Sequence, residues 1–88
     1  MLKIVVEETG KGAIVLHLEG QVIGPWVEEL RRVCAPLLAS GARVTVDLST
    51  VSFVGREGLG LLGCLRNRNV TLANSAGLVA EQLRAEKG

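Results

Sequence analysis

Four places in this sequence carry residue types whose spacing could do chemistry. Gly58, Gly60 and Gly63 fall in the pattern GxGxxG, which in a dinucleotide-binding unit brings backbone close to a pyrophosphate at a helix N-terminus. That use requires a strand directly before the glycines and an acidic residue closing the next strand about 20 positions on. The chain predicts a loop at the first point and a last helix, near Leu83, at the second. Close packing of a helix through Gly60 and Gly63 is the better account. His17 is the only histidine and falls mid-strand, with Glu19 and Asp47 able to share its sheet face. A catalytic triad also needs a nucleophile against the imidazole, and the pattern places none there. Cys34 and Cys64 lie far apart with no CxxC pair, so they fit neither a zinc site nor a disulfide framework and read as buried thiols packed as small hydrophobes.

The fourth place is Gly55-Arg56-Glu57-Gly58, where a helix opens on a cation and an anion side by side. A helix N-terminus carries unpaired N–H groups and a partial positive charge, which suits Glu57 and opposes Arg56. One residue of the pair is locally out of place, and that marks the corner as a candidate site.

The elements that must position this corner follow from the periodicity. Residues 2–7 and 13–19 predict a hairpin about the turn Gly10-Lys11-Gly12, with Ile14, Leu16 and Leu18 on one face and Val15, His17 and Glu19 on the other. A loop is expected over 20–24, and Pro25 opens a helix to about residue 40 whose inner face carries Trp26, Leu30, Val33 and Leu37. Trp26 reads as core or as a lid at its edge, ahead of an interface anchor. Pro36 predicts a kink or an early end, and Gly41 the stop. Residues 43–48 alternate as a third strand, with Val44, Val46 and Leu48 inward. A short helix from about Arg56 carries Leu59, Leu62 and Leu65, and Val70 with Leu72 marks a fourth strand. Ser75 or Asn74 would cap a last helix over 76 to about 87, with Val79 and Leu83 facing in. Strands that keep a polar side are buried on one face only. The expectation is an α/β fold of order β-β-α-β-α-β-α: a four-stranded mixed sheet, about three helices on one face, the other face open.

Composition bounds the function. Eighty-eight residues make one domain, 1–88, with no room for a second. The formal charge is +1, with acidic and basic residues interspersed, which argues against nucleic acid or a membrane surface as partner. No run approaches the ~18 apolar residues of a membrane span, and the N-terminus turns acidic where a signal peptide would stay apolar. A cytoplasmic protein is expected.

The stretch Val46-Asp47-Leu48-Ser49, then Val51-Ser52-Phe53-Val54, then Gly58-Leu59-Gly60 resembles the signature of STAS domains of the anti-sigma-factor-antagonist type. In that family an apolar strand, Asp-Leu-Ser and an apolar-Ser-Phe-apolar stretch precede Asp-Ser-Ser-Gly-Leu-Gly, which opens a helix. The segment from Leu16 to Cys34 is similar to the family's second strand and first helix, so the likeness spans nearly the whole chain. Signalling members are phosphorylated by a kinase-like anti-sigma factor on the serine that opens the helix. Aligned on Gly58-Leu59-Gly60, Arg56 stands in place of that serine, Gly55 in place of the preceding aspartate, and Glu57 in place of the next residue. Arginine cannot be phosphorylated; Ser49 and Ser52 are nearby hydroxyls, but off the switch position. With little room for a long helix before Asn69, the resemblance is to a short variant.

The resemblance implies a STAS-like (SpoIIAA-like) fold and a non-catalytic protein–protein interaction module of bacterial regulation, without cofactor or metal and without the serine switch. It implies an anti-sigma factor or kinase-like protein as partner. Some short domains instead resemble the small cytoplasmic subunit of lipid-transport ABC systems, whose partner is the transporter ATPase. A small nucleotide-binding domain is the reading from a different class. The expected partner-binding surface is the corner Gly55, Arg56, Glu57, Gly58, Leu59 and Gly60, with Gly24 and Pro25 beside it. A homodimer through the open sheet face or the edge strand at 2–7 is compatible with the pattern.

Overall fold

The computed structural model describes residues 2–75 and 77–86. The chain runs β1 (Leu2–Gly10), β2 (Ala13–Val22), α1 (Pro25–Ala39), β3 (Arg43–Val54), α2 (Arg56–Asn67), β4 (Thr71–Ala73) and α3 (Gly77–Glu86). The strands form one sheet in the order β1-β2-β3-β4. β1 and β2 are an antiparallel hairpin, whereas β2/β3 and β3/β4 are parallel. Parallel neighbours need a crossover, and α1 and α2 supply the two that this order requires.

Alternation along the strands sets the layers. Leu16, Leu18, Val44, Val46 and Leu48 are buried beneath the helices, together with Leu2 from the edge strand. On the opposite face none of Lys3, Val5, Glu7, Val15, His17, Glu19, Thr45, Asp47 or Thr71 is buried. The sheet is therefore covered on one side and open on the other, as the polar alternation predicts.

Two helices end alike. At α1, Gly41 takes φ +82°, its N–H bonds to the Leu38 carbonyl, and the Ala42 N–H bonds to the Leu37 carbonyl. At α2, Asn69 takes φ +70°, and Asn69 and Val70 donate to the Arg66 and Leu65 carbonyls. Both are Schellman motifs, closed once by glycine and once by asparagine, the two residues that best tolerate the left-handed region.

Several expectations need correction. β2 continues to Val22 and β3 to Val54, so the loop expected over 20–24 shrinks to Ile23-Gly24. The loop expected before α2 is the single residue Gly55. The cause is two register shifts of β3 against β2. His17 pairs with Asp47 but Glu19 with Thr50, and Gly20 pairs with Val51 but Gln21 with Phe53. Each shift inserts one extra β3 residue, a bulge, and inward positions then fall three apart, at Leu48, Val51 and Val54. Hydroxyls occupy the disturbed ladder: Thr50 Oγ1 donates to the Leu18 carbonyl at 2.7 Å and Ser52 Oγ to the Gly20 carbonyl at 3.3 Å. Turning to α1, Pro36 does not end the helix, which continues to Ala39. Its buried stripe is Val27, Leu30 and Cys34, while Trp26, Val33 and Leu37 are partly buried and pack at the core's margin. Cys64 is exposed; only Cys34 is a buried thiol, and burial pushes that thiol up to about 11. Val79 and Leu83 of α3 are buried as expected; the last helix's expected ends at 76 and 87 lie outside the described residues.

The glycines of α2 divide differently from the GxGxxG reading. A Cβ at Gly60 or Gly63 would meet nothing within 4 Å, so neither mediates close packing. A Cβ at Gly58 would lie 2.6 Å from the Val22 carbonyl oxygen and 2.9 Å from Cγ1 of both Val22 and Val54. The first turn of α2 thus rests directly on the ends of β2 and β3. Gly58→Ala is expected to destabilise the fold by about 1–3 kcal/mol, because the obstructing carbonyl is backbone and cannot swing aside. Gly60→Ala and Gly63→Ala are expected to be neutral or to stabilise by up to ~1 kcal/mol through helix propensity. Urea denaturation of the three variants checks this; a Gly58→Ala variant as stable as wild type contradicts it.

Candidate functional site

The corner is built from two chain reversals lying side by side. Gly55, in extended conformation at φ −78° and ψ 176°, joins β3 to α2 with no intervening loop. Its N–H donates to the Val22 carbonyl at 2.9 Å, and a Cβ there would lie 3.1 Å from Ile23 Cγ2. Across from it, Gly24 takes φ +55° at the head of α1, and Pro25 follows at the first helical position, where a missing N–H costs nothing.

These contacts bring the expected site residues together. Gly58 is buried against the strand ends, and Leu59 is half-buried against the core. Arg56, Glu57 and Gly60 are exposed on the first turn of α2, and Gly24 and Pro25 are exposed beside them. Among the described residues Arg56 makes no ion pair. Gly55 supplies no side-chain cap to α2, so Glu57 complements the open N–H groups of the first turn through its charge. An open groove of about 450 Å³ runs from here between α1 and α2, lined by Gly24, Glu28, Arg31, Glu57, Gly60 and Cys64 among others. Arg31 is engaged with Glu28 at 2.6 Å. The GxGxxG glycines lie wholly inside α2; no glycine-rich turn precedes the helix to cradle a phosphate.

The corner is also braced from α3. Gln82 Nε2 donates to the Val54 carbonyl at 2.6 Å, and its Oε1 accepts the Val54 N–H at 3.2 Å. Among the described residues β4 pairs only with Thr45, Val46 and Asp47, and beyond that point β3 has no strand on this side. The Gln82 amide stands in for one at the last strand residue before the corner. Nothing in the helical pattern of α3 separates Gln82 from a solvated polar residue, and sequence reasoning passed over it.

A second constellation lies on the open face. His17 Nε2 is 2.6 Å from Glu7 Oε1, and Nδ1 is 3.0 Å from Asp47 Oδ2. Asp47 Oδ1 in turn accepts the Ser49 N–H at 3.0 Å and the Asn74 amide at 3.1 Å. The chain of contacts crosses the sheet from β1 to the segment after β4. Asp47 was expected near His17; Glu19 was too, but Glu7 takes that place. Val5 pairs directly with His17, which makes Glu7 its diagonal neighbour, within reach of a long side chain. Counting back from the turn could have found Glu7, had the irregularity between Glu8 and Gly10 been visible. Asn74 was expected as a helix cap; its side chain instead holds Asp47.

Several solved structures share this fold. The anti-sigma factor antagonist SpoIIAA in its unphosphorylated form matches with a TM-score of 0.76 at 18% identity, over 93% of this chain and 82% of its own. An antisigma-factor antagonist STAS domain from Rhodobacter sphaeroides gives 0.59 at 17% identity, over 83% and 86%. A protein from Shewanella loihica with a SpoIIAA-like fold gives 0.53 at 14%, over 96% and 75%. No protein-family model matches the chain, nor does the sequence of any curated protein. The chain has the SpoIIAA-like fold of STAS domains, with the element order expected. Among the described residues no helix is long and apolar enough to cross a membrane.

Protonation of the open-face constellation has a definite sign. Both ring nitrogens of His17 face carboxylates, so only the doubly protonated imidazolium donates to both. Hydrogen bonds donated to Glu7 first, then to Asp47, raise its pKa above the ordinary 6.5. The Ser49 N–H first, then the Asn74 amide, lower Asp47 from 3.8 to about 2. The His17 contribution to stability is full below 6.5 and is lost as pH rises through the higher folded-state value. The Asp47 contribution is present above 3.8 and is lost as pH falls through about 2. An NMR titration of the His17 ring is expected to give a midpoint above 6.5, and Glu7→Gln is expected to move it back down. A wild-type midpoint at or below the ordinary value contradicts the geometry.

Proposed function

We propose that this chain is a protein–protein interaction module of the STAS, anti-sigma-antagonist type, acting in the bacterial cytoplasm without catalysis and without serine phosphorylation. The observation that carries this reading is the corner itself: on a SpoIIAA-like fold, the exposed first turn of α2 beside Gly24 presents Arg56 and Glu57. The resemblance implies a switchable serine at the position of Arg56. A permanent cation there gives a partner one fixed charge to read, and a guanidinium can fork onto a carboxylate with two parallel hydrogen bonds. The partner is therefore a protein with an acidic contact, of the anti-sigma or kinase-like kind. Glu57, favourable to the helix N-terminus, offsets the cost of the cation beside it.

The test is affinity capture of a partner with wild type and Arg56→Glu side by side, followed by measurement of binding with the captured protein. Loss of a charge-assisted contact predicts binding weakened by about 10-fold or more in the variant. A partner bound equally by both discards the corner as its contact.

A further inference from the structure

The edge of the sheet at β1 carries features that the corner does not use. β1 is the terminal strand, so among the described residues one side of its backbone is without a strand partner. Val5 and Val6 are 45% and 53% exposed, two of the three large apolar residues so exposed among the described residues. Pairing with β2 assigns the faces. Val5 opposes His17 and Lys3 opposes Glu19, so Lys3, Val5 and Glu7 lie on the open face. Val6 opposes Leu16 and Ile4 opposes Leu18, so Ile4 and Val6 lie on the helix face.

We propose that β1 is a docking edge for a second copy of this chain, joined antiparallel about a two-fold axis through Val5. In that register Val5 meets the partner's Val5, Ile4 meets the partner's Val6, and Lys3 meets the partner's Glu7, twice by symmetry. Opposed residues of an antiparallel pair share a face. The two open faces therefore join, as do the two helix-covered faces, in one continuous eight-stranded sheet. Moving the axis to Val6 would oppose Val5 with Glu7 and Ile4 with Glu8, setting valine and isoleucine against carboxylates. Shifting it by half a residue would turn the helices of the two copies to opposite sides. Centring on Val5 pairs Lys3 with Glu7, sets valine and isoleucine against valine and keeps the faces together; Leu2 and Glu8 are opposed only at the outer ends of the pairing.

The charges are available. Among the described residues Lys3 makes no ion pair, although Glu19 lies opposite it. Glu7 engages His17 through Oε1, which leaves Oε2 for the partner's lysine. Lysine on an edge strand commonly prevents self-pairing; here the two-fold axis turns it onto a carboxylate. A single strand pair is small beside a standard interface, so the association is concentration-dependent.

Sedimentation equilibrium over a concentration series tests the register through charge reversal. Wild type is expected to dimerise. Lys3→Glu and Glu7→Lys should each weaken dimerisation by about 10-fold or more, since two like-charge pairs replace two opposite ones. The double variant Lys3→Glu/Glu7→Lys should recover it, and so should an equimolar mixture of the two single variants, which restores every pair between unlike chains. Both residues concerned, Lys3 and Glu7, are exposed, and circular dichroism verifies that the variants fold. A wild type monomeric throughout the series overturns the proposal, as does a dimer equally strong in both single variants.

Discussion

The approach of α2 to the ends of the two central strands depends on the absence of a side chain at position 58. Val22 and Val54 are the last inward residues of β2 and β3, both fully buried, and the first turn of α2 sits on them with no space for a Cβ. Helical geometry then decides what faces out. With Gly58 inward, Leu61, Leu62 and Leu65 follow onto the core, and Arg56, Glu57, Gly60 and Cys64 turn to solvent. The exposure of the two charges at the corner is a consequence of this one contact. So is the groove between α1 and α2, whose α2 wall is made of the same outward residues.

That contact is held from two further directions. The Gly55 N–H bonds to the Val22 carbonyl, so the turn from strand to helix is tied to β2 as well as covalently to β3. On the other flank Gln82 satisfies both backbone groups of Val54. Leaving buried backbone groups without partners costs ~1–3 kcal/mol each, and β4 is too short to reach them. α3 therefore does more than bury Val79 and Leu83: it completes the hydrogen bonding of the strand from which the corner departs.

What was legible in the sequence was what local chemistry decides. The stop of α1 at Gly41 depends on a residue that tolerates a left-handed backbone, and the inward sets of β2 and early β3 depend on simple alternation. Register was not legible. Leu48, Val51 and Val54 break the period of two because two extra residues are accommodated against β2, and a strand that breaks its period reads as a loop. Glu7 meets His17 only through the hairpin's pairing, including its irregularity. The glycines of α2 show the same limit. Their spacing signals small residues on a helix, but only the packing shows that Gly58 is the one without room and that Gly60 and Gly63 face outward.

Backbone and charge are separable at this corner, and that bears on its use. The contacts that position it come from Gly55, Gly58, Val22, Val54 and Gln82, none of which involves the side chain of Arg56 or Glu57. An exposed residue on the first turn can therefore change without moving the helix, which is compatible with a fold shared at 18% identity. Arg56 faces the positive end of the helix dipole, an arrangement that costs about 0.3–1 kcal/mol, and Glu57 one position on offsets a similar amount. The fold gains nothing from the arginine that a neutral residue would not also give. On the proposed reading, its place on an exposed turn beside the α1 head serves what it presents outward, to a carboxylate supplied by a partner.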